Sequence, residues 1–385
     1  MSLEFSKKVE SIESSGIRRF FELVIGADDI ISLGVGEPDF PTPWRIRQSA
    51  IRSIETGQTS YTSNKGLDSL RSSIAAYLKK QFNASYNSET ELLVTNGVSE
   101  AVDICLRSLL NDGDEVILPE PNYVCYKPLI EVAGGKMISI DTSTSDFIPK
   151  PEDIKRAITN KTKALILCSP NNPTGTVIQK ETLREIAALA KEHNFWVISD
   201  EIYAELTYDK DYTSMASFHD IKDRVIILSG FSKAFAMTGW RLGYIAAPEA
   251  LVSLALKIHQ YSALCAPIMS QTAAETALLC EEEVTTMKDS YHTRRNLLVN
   301  KVKKMGLSCA PANGAFYGFI NIAPTRLTSE EFAIQFLKEE KVAVVPGNVF
   351  GQGGEGYVRC CYATDINQLS EALDRMHRFV SKHIS

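Results

Sequence analysis

Ala164-Leu165-Ile166-Leu167-Cys168-Ser169-Pro170-Asn171-Asn172-Pro173-Thr174-Gly175 is the stretch on which the fold turns. An apolar run without polar alternation predicts a strand covered on both faces, and the Pro- and Asn-rich segment behind it predicts an abrupt polar turn. The same grammar recurs on both sides. Leu92-Leu93-Val94-Thr95, Glu115-Val116-Ile117-Leu118, Trp196-Val197-Ile198-Ser199 and Val225-Ile226-Ile227-Leu228 are further runs of this kind. Ser99 to Leu110 and Lys180 to His193 repeat apolar residues at helical spacing, which supplies the crossovers that parallel strands need. The pattern predicts an α/β fold, a three-layer sandwich around a mostly parallel sheet. Leu242 to Ala247 follows the Val225 run too soon for a helical crossover, so an antiparallel strand at or near one edge is expected there.

Beyond Ala250 the pattern shifts to long helical stretches. Phe316 to Ile322 and Lys341 to Val345 then read as strands, with Ser329 to Glu339 as a helix between them, predicting a second, smaller α/β domain. The segment up to about Trp44 is too short to fold alone and is expected to pack on that smaller domain. The expected division is 1–44, 45–285 for the large domain and 286–385 for the small one.

Composition narrows the class of partner. The 385 residues are 44% hydrophobic and 23% charged, with a formal net charge of −6. That balance excludes a diffuse basic surface for nucleic acid or anionic membrane, since both need clustered Lys and Arg. A small-molecule partner is expected, and a local basic pocket stays compatible with the net charge. Cys105, Cys125, Cys168, Cys265, Cys280, Cys309, Cys360 and Cys361 sit in apolar stretches without a CxxC pair and read as reduced core thiols. No metal-ligand spacing is found among the six histidines. The first residues lack the apolar core of a signal peptide and no apolar run reaches membrane-spanning length, so a cytoplasmic location is expected.

Ligands of open α/β sheets bind beyond the carboxyl ends of the strands. The residues there are polar: Asn96-Gly97-Val98-Ser99-Glu100, Ser169 to Gly175, Asp200-Glu201-Ile202-Tyr203 and Ser229-Gly230-Phe231-Ser232-Lys233. Generic motifs fail on inspection. Gly34-Val35-Gly36 opens like a dinucleotide fingerprint but has Asp39 where the third glycine belongs, and Gly230-Phe231-Ser232 opens like a hydrolase elbow but has Ala234 in place of the second glycine. Lys233 is the residue that gains from its neighbours. A lone lysine reads as a solvated surface cation, but an acid, a phenol and an amide on adjacent strand ends, with Arg241 close behind, suit an amine that condenses with a carbonyl.

Ser232-Lys233-Ala234-Phe235-Ala236-Met237-Thr238-Gly239-Trp240-Arg241-Leu242-Gly243, with Asn172-Pro173-Thr174-Gly175, Ser199-Asp200-Glu201-Ile202-Tyr203 and Gly36-Glu37-Pro38-Asp39-Phe40, resembles the class I/II aminotransferases of the pyridoxal-phosphate fold type I superfamily, which includes aspartate and aromatic aminotransferases. The resemblance covers nearly the whole chain and implies pyridoxal 5′-phosphate as cofactor. It implies that Lys233 holds the cofactor as a Schiff base and then moves the proton between substrate Cα and cofactor C4′. Asp200 would keep the pyridine nitrogen protonated, and Tyr203 with Asn172 would meet the cofactor O3′; the plainer uses of these residues are a turn acid and a half-buried aromatic. Gly97, Val98 and Ser99 would cradle the phosphate at a helix amino terminus, with Arg241 supplying charge and Ser232 a hydroxyl. Many relatives have serine three positions before the lysine, where this chain has Gly230. Tyr123 matches the aromatic that stacks on the ring, and core packing is its alternative. Tyr61 matches the tyrosine that reaches the other subunit's phosphate, implying a homodimer. Arg359 would grip the substrate α-carboxylate, with Asn172 and backbone at Gly36 beside it, although Gly36 alone reads as a turn glycine.

The implied reaction is transfer of an amino group from an L-amino acid to a 2-oxo acid such as 2-oxoglutarate. His259 to Ser270 carries no Lys or Arg, and Val98-Ser99-Glu100 offers no lysine beside the phosphate turn, so an aromatic or broad donor range is expected over strict aspartate use. A C–S β-lyase on the same fold would retain every cofactor residue. A pyridoxal-phosphate-binding regulator is a third alternative, disfavoured because the resemblance begins within about 30 residues of Met1.

Overall fold

The computed structural model describes residues 4–10, 12, 16, 29–209 and 211–384. In chain order the strands are β1 (Ile31–Ser32), β2 (Leu92–Thr95), β3 (Glu115–Glu120), β4 (Lys136–Asp141), β5 (Thr162–Cys168), β6 (Trp196–Asp200), β7 (Val225–Gly230), β8 (Gly243–Ala246), β9 (Ser308–Cys309), β10 (Tyr317–Asn321), β11 (Val342–Ala343), β12 (Val345–Pro346) and β13 (Tyr357–Cys361). Seven of them form one sheet in the order β2-β8-β7-β6-β5-β3-β4. β8 runs antiparallel to β2 and β7, and the remaining pairs are parallel. The expected antiparallel strand therefore lies one position in from an edge. The expectation missed β4, whose mixed polar and apolar sequence and largely uncovered side chains are those of an edge strand rather than a doubly buried one.

Why continuous apolar runs form this sheet is visible in β5. Leu165 and Leu167 face one core with Ile117, Val197 and Ile227, whereas Ala164 and Ile166 face the other with Val116, Ile198 and Ile226. Successive side chains point to opposite faces, so covering both faces requires an apolar residue at every position. Helices Asp68–Phe82, Lys180–His193 and Ile268–Ala277 cover the first face; helices Val98–Leu109 and Glu249–Ser262 cover the second. Each fully buried Leu, Ile or Val contributes about 1.5–3 kcal/mol relative to leaving it exposed, which is why these runs tolerate no polar alternation.

A second, four-stranded antiparallel sheet has the order β12-β13-β10-β9. Helices Glu281–Lys304, Ser329–Glu340 and Ile366–Ser381 supply Leu298, Phe332, Phe336, Leu373 and Phe379 to a separate core around it. Thr328 starts the Ser329–Glu340 helix with a reciprocal cap: its hydroxyl accepts from Glu331 N–H while the Glu331 carboxylate accepts from Thr328 N–H. The predicted strand Lys341 to Val345 is divided in two. Lys341 takes a left-handed cap at φ 56°, after which β11 pairs with β1 and β12 with β13, so the chain changes sheets within a few residues.

β1 lies parallel to β11, and the amide of Cys361 donates to Leu33 O at 2.7 Å. Most of the N-terminal segment between residues 11 and 28 lies outside the described residues. Helix Glu281–Lys304 runs unbroken through position 285. Among the described residues no helix is long and apolar enough to cross a membrane.

Candidate active site

The carboxyl ends of β2, β5, β6 and β7 open onto one cavity of about 400 Å³. The large sheet delivers Val98, Ser99, Asn172, Asp200, Tyr203 and Lys233 to its wall, and the turn before β8 adds Arg241. Tyr317 and Arg359 enter from β10 and β13 of the other sheet, and Gly36 and Glu37 from the segment after β1. Residues from distant parts of the chain thus meet because two sheets face each other across the strand ends.

Lys233 donates its Nζ hydrogen to Gly36 O at 2.8 Å, and the amine lies 5.8 Å from the ring centres of Tyr203 and Phe316. Burial lowers its pKa to about 8; Arg359 and Arg241 push the same way, against the Cys361 thiol and Glu37. A primary amine lowered this far has a useful neutral fraction near neutral pH, as a nucleophile for a carbonyl must have.

Asp200 is 4% exposed at the end of β6. Its carboxylate accepts from Tyr126 O–H at 2.7 Å and from Ile202 N–H at 3.2 Å. Burial nevertheless raises its pKa to about 6, outweighing those bonds and the Lys233 charge. The acceptance from Ile202 is the turn-acid role, and the Tyr126 bond holds the carboxylate toward the cavity.

Arg359 is 2% exposed. Its Nη1 donates to Asn172 Oδ1 at 2.9 Å and its Nη2 to Gly34 O at 2.7 Å. The guanidinium carbon lies 4.6 Å from the Tyr317 ring centre and 5.0 Å from that of Phe350. Its Nε is buried without a partner among the described residues. A planar cation packed against two rings, with both terminal nitrogens donating to oxygen, is preorganised for a carboxylate.

At the far end, Gly97 precedes helix Val98–Leu109 with φ 84°, a left-handed value that suits glycine. A Cβ there would come within 2.7 Å of Arg241 Nη2. The first intrahelical bond runs from Ala101 N to Gly97 O, leaving the Val98 and Ser99 amides ahead of it. Gly230 and Gly243, paired across β7 and β8, pack behind this turn. A Cβ at Gly230 would lie 2.7 Å from Gly243 Cα, and one at Gly243 would lie 2.8 Å from Val98 N. Close backbone packing therefore leaves no room for a side chain at Gly230. Behind the same helix, Glu100 accepts from Asn96 N–H at 2.5 Å and pairs with buried His259 at 2.9 Å.

These features fit pyridoxal phosphate on three independent counts: a buried carboxylate suited to a ring N–H, amides and a guanidinium around a glycine turn suited to a phosphate, and an amine of lowered pKa between them. Ser232 and Tyr123 also line the cavity, Tyr123 lying edge-on to Tyr126 at 5.8 Å. Gly97 borders it through Arg241. Tyr61 does not reach it; in a single chain that side chain is 83% exposed. The cysteines are free, and no cluster of metal-binding side chains occurs among the described residues.

Sequence reasoning missed Tyr317, Tyr126 and Glu37. Tyr317 begins a correctly expected strand, but nothing local marks it for a cavity built mainly by the other sheet. Its signal was positional: β10 pairs directly with the strand that carries Arg359.

The family model for aminotransferase class I and II matches residues 28–376. An aspartate aminotransferase of Pyrococcus abyssi is 44% identical over 382 residues, covering 98% of this chain and 98% of its own length. An aromatic-amino-acid aminotransferase of Thermococcus litoralis is 41% identical over 386 aligned residues, with 99% of each chain covered. The solved aspartate aminotransferase of Thermus thermophilus with maleate superposes with a TM-score of 0.93 at 34% identity, over 98% of this chain and 100% of that one. With motifs, cavity and full-length similarity in agreement, the chain belongs to the class I and II aminotransferases and is an enzyme of that family.

Proposed function

We propose that this enzyme uses pyridoxal 5′-phosphate, bound covalently through the Lys233 amine, to move the amino group of an L-amino acid to a 2-oxo acid. The observation that carries this reading is the convergence, in one cavity, of an amine lowered to about 8, a buried carboxylate and two guanidinium groups. When bound, the cofactor supplies an electron sink for the charge left at substrate Cα.

The chain's own residues divide the remaining work. Arg359 binds the substrate carboxylate, exchanging Gly34 O for a carboxylate oxygen, with Asn172 and the Gly36 backbone alongside. Lys233, as a free amine, would take the proton from substrate Cα and return it two atoms away, across the amino nitrogen, a task suited to its lowered pKa. Asp200 would hold a proton on the ring nitrogen, whose positive charge would offset part of the cost of the buried carboxylate. Tyr203 and Asn172 would hold the ring oxygen, and Tyr123 would pack against the ring. Gly97, Val98, Ser99, Ser232 and Arg241 hold the phosphate. Tyr61 belongs to the neighbouring subunit's site in a homodimer, which accounts for its exposure in one chain.

An aromatic or broad donor range is favoured over aspartate alone. The cations lining the cavity are Lys233, Arg241 and Arg359, each with a role already, and Glu37 adds an acid to the wall. A second substrate carboxylate therefore finds no unassigned cation among the described residues that line the cavity. The acceptor is a 2-oxo acid, with 2-oxoglutarate the first to test, in a cytoplasmic setting.

The test is to load the purified protein with pyridoxal phosphate, add single amino acids and record visible absorbance. A yellow form that bleaches with phenylalanine, tyrosine or aspartate and recovers with 2-oxoglutarate supports transamination, and the relative rates rank the donors. Release of pyruvate and ammonia from a cysteine conjugate, without a form that 2-oxoglutarate can recolour, identifies a β-lyase instead. Lys233→Ala must lose the adduct that borohydride fixes; an adduct that persists sinks the assignment.

A further inference from the structure

Tyr317 stands where three parts of the site meet. Its Oη lies 2.8 Å from the Tyr203 Oη and 3.4 Å from Gly36 O, while its ring lies under the Arg359 guanidinium at 4.6 Å. The side chain is 1% exposed. Gly36 has no side chain at this contact, and a Cβ there would come 2.6 Å from the Tyr317 oxygen. The same Gly36 carbonyl accepts from Lys233 at 2.8 Å.

Counting hydrogens makes the arrangement more than packing. A phenol has one hydrogen to donate and can accept through its oxygen, whereas a carbonyl only accepts. With Tyr203 O–H donating to Tyr317, the Tyr317 hydrogen is free for Gly36 O. Once Tyr203 donates to an acceptor in the cavity, its own oxygen can only receive, and the hydrogen available to it is that of Tyr317. Tyr317 then has none left for Gly36.

We propose that Tyr317 is a positioning residue whose single hydroxyl hydrogen alternates between Gly36 O and the Tyr203 oxygen, strengthening Tyr203 as a donor when the cavity is filled. This rests on the assignment of Tyr203 to the cofactor's ring oxygen. A donor that itself receives a hydrogen bond is polarised and donates more strongly, by roughly 10–30% per bond. Donation to the ring oxygen draws negative charge from it and makes the neighbouring C=N nitrogen easier to deprotonate.

The experiment is a spectroscopic pH titration of the yellow Lys233–cofactor adduct in four proteins: wild type, Tyr317→Phe, Tyr203→Phe and the double variant. Asp200, Glu37, Arg241, Arg359 and Cys361 surround Lys233 in all four, so their influence cancels in the comparison. Loss of a hydrogen bond to a charged acceptor should raise the midpoint in Tyr203→Phe by about 1–2 pH units. Tyr317→Phe, which keeps the ring beneath Arg359, should raise it by about 0.2–0.5 unit. The double variant should titrate like Tyr203→Phe, because the Tyr317 hydroxyl acts only through Tyr203. An unchanged midpoint in Tyr317→Phe, or a double variant shifted by the sum of both, overturns the inference. Absence of a yellow adduct in the wild type overturns the cofactor assignment and this inference together, so the two failures are told apart by the wild-type spectrum. Far-ultraviolet circular dichroism and the thermal midpoint of Tyr317→Phe check that the fold is kept; a refolded site that gives the expected shift without Tyr203 dependence counts against the proposal.

Discussion

Replacing Asp200 by asparagine should make the cofactor-free protein more stable while abolishing transamination. The carboxyl is 4% exposed, and burial lifts its pKa from 3.8 to about 6. A folded-state pKa above the unfolded one means that the native protein binds the extra proton between the two values. Asp200 therefore contributes stability below about pH 4 that is lost as pH rises through about 6. At roughly 1.36 kcal/mol per unit, the loss is about 3 kcal/mol at pH 8 and about 1 kcal/mol at pH 4.5. Asparagine carries no charge to desolvate, and its amide keeps the Ile202 N–H bond through its oxygen. The Tyr126 contact is reversed, the amide donating to the phenol oxygen, at a cost of about 1 kcal/mol for the displaced hydroxyl hydrogen. That cost is the same at both pH values. Urea unfolding of both cofactor-free proteins should thus show the variant gaining about 2 kcal/mol relative to wild type between pH 4.5 and pH 8. Glu201, also raised by burial, to about 7, is present in both proteins and cancels. A pH-independent difference, or a variant that loses ground as pH rises, would refute the claim that Asp200 is a desolvated carboxylate waiting for a cation.

Three other perturbations test different parts of the site. Arg359→Lys keeps the charge but loses the fork and the stack on Tyr317, at about 2–4 kcal/mol in all, so kcat/KM for amino acids should fall about 30- to 900-fold; an equal fall with an amine lacking the carboxylate would show that Arg359 does not bind that group. Gly97→Ala places a methyl 2.7 Å from Arg241 Nη2 at a φ of 84°, so equilibrium dialysis should show pyridoxal phosphate held about 5- to 150-fold more weakly, at a strain of about 1–3 kcal/mol; undiminished retention would remove that turn from the phosphate site. Tyr61→Ala and Lys233→Ala subunits, each impaired alone, should regain activity when mixed and refolded together, because one of the two composite sites then has both residues intact; no recovery in confirmed mixed dimers would place Tyr61 outside the partner's site.

Much of this protein was legible in its sequence because the determining physics is local. β5 must have an apolar residue at every position to be covered on both faces, and the turn that stops it has to be rich in Pro, Asn and Gly, so strand, layer and site-bearing rim are written together in residues 162–175. The motif around Lys233 likewise places Lys233 and Arg241 eight positions apart in the connection between β7 and β8. β4 escaped because an edge strand needs no continuous apolar run, and the division of residues 341–346 escaped because the choice of sheet is made by partners far away in the chain.

What the tertiary structure alone decided is how groups from opposite ends of the chain share electrons and hydrogens. The pKa of Lys233 depends on burial beneath a second sheet and on Arg359, 126 positions later, and that of Asp200 on desolvation that no motif records. Tyr317 becomes part of the site only because β10 and β13 bring it under Arg359 and against Tyr203 and Gly36. Residue type and spacing determine which chemistry a chain can carry; desolvation and hydrogen-bond partnership depend on everything packed around a group, and so exist only once the chain has folded.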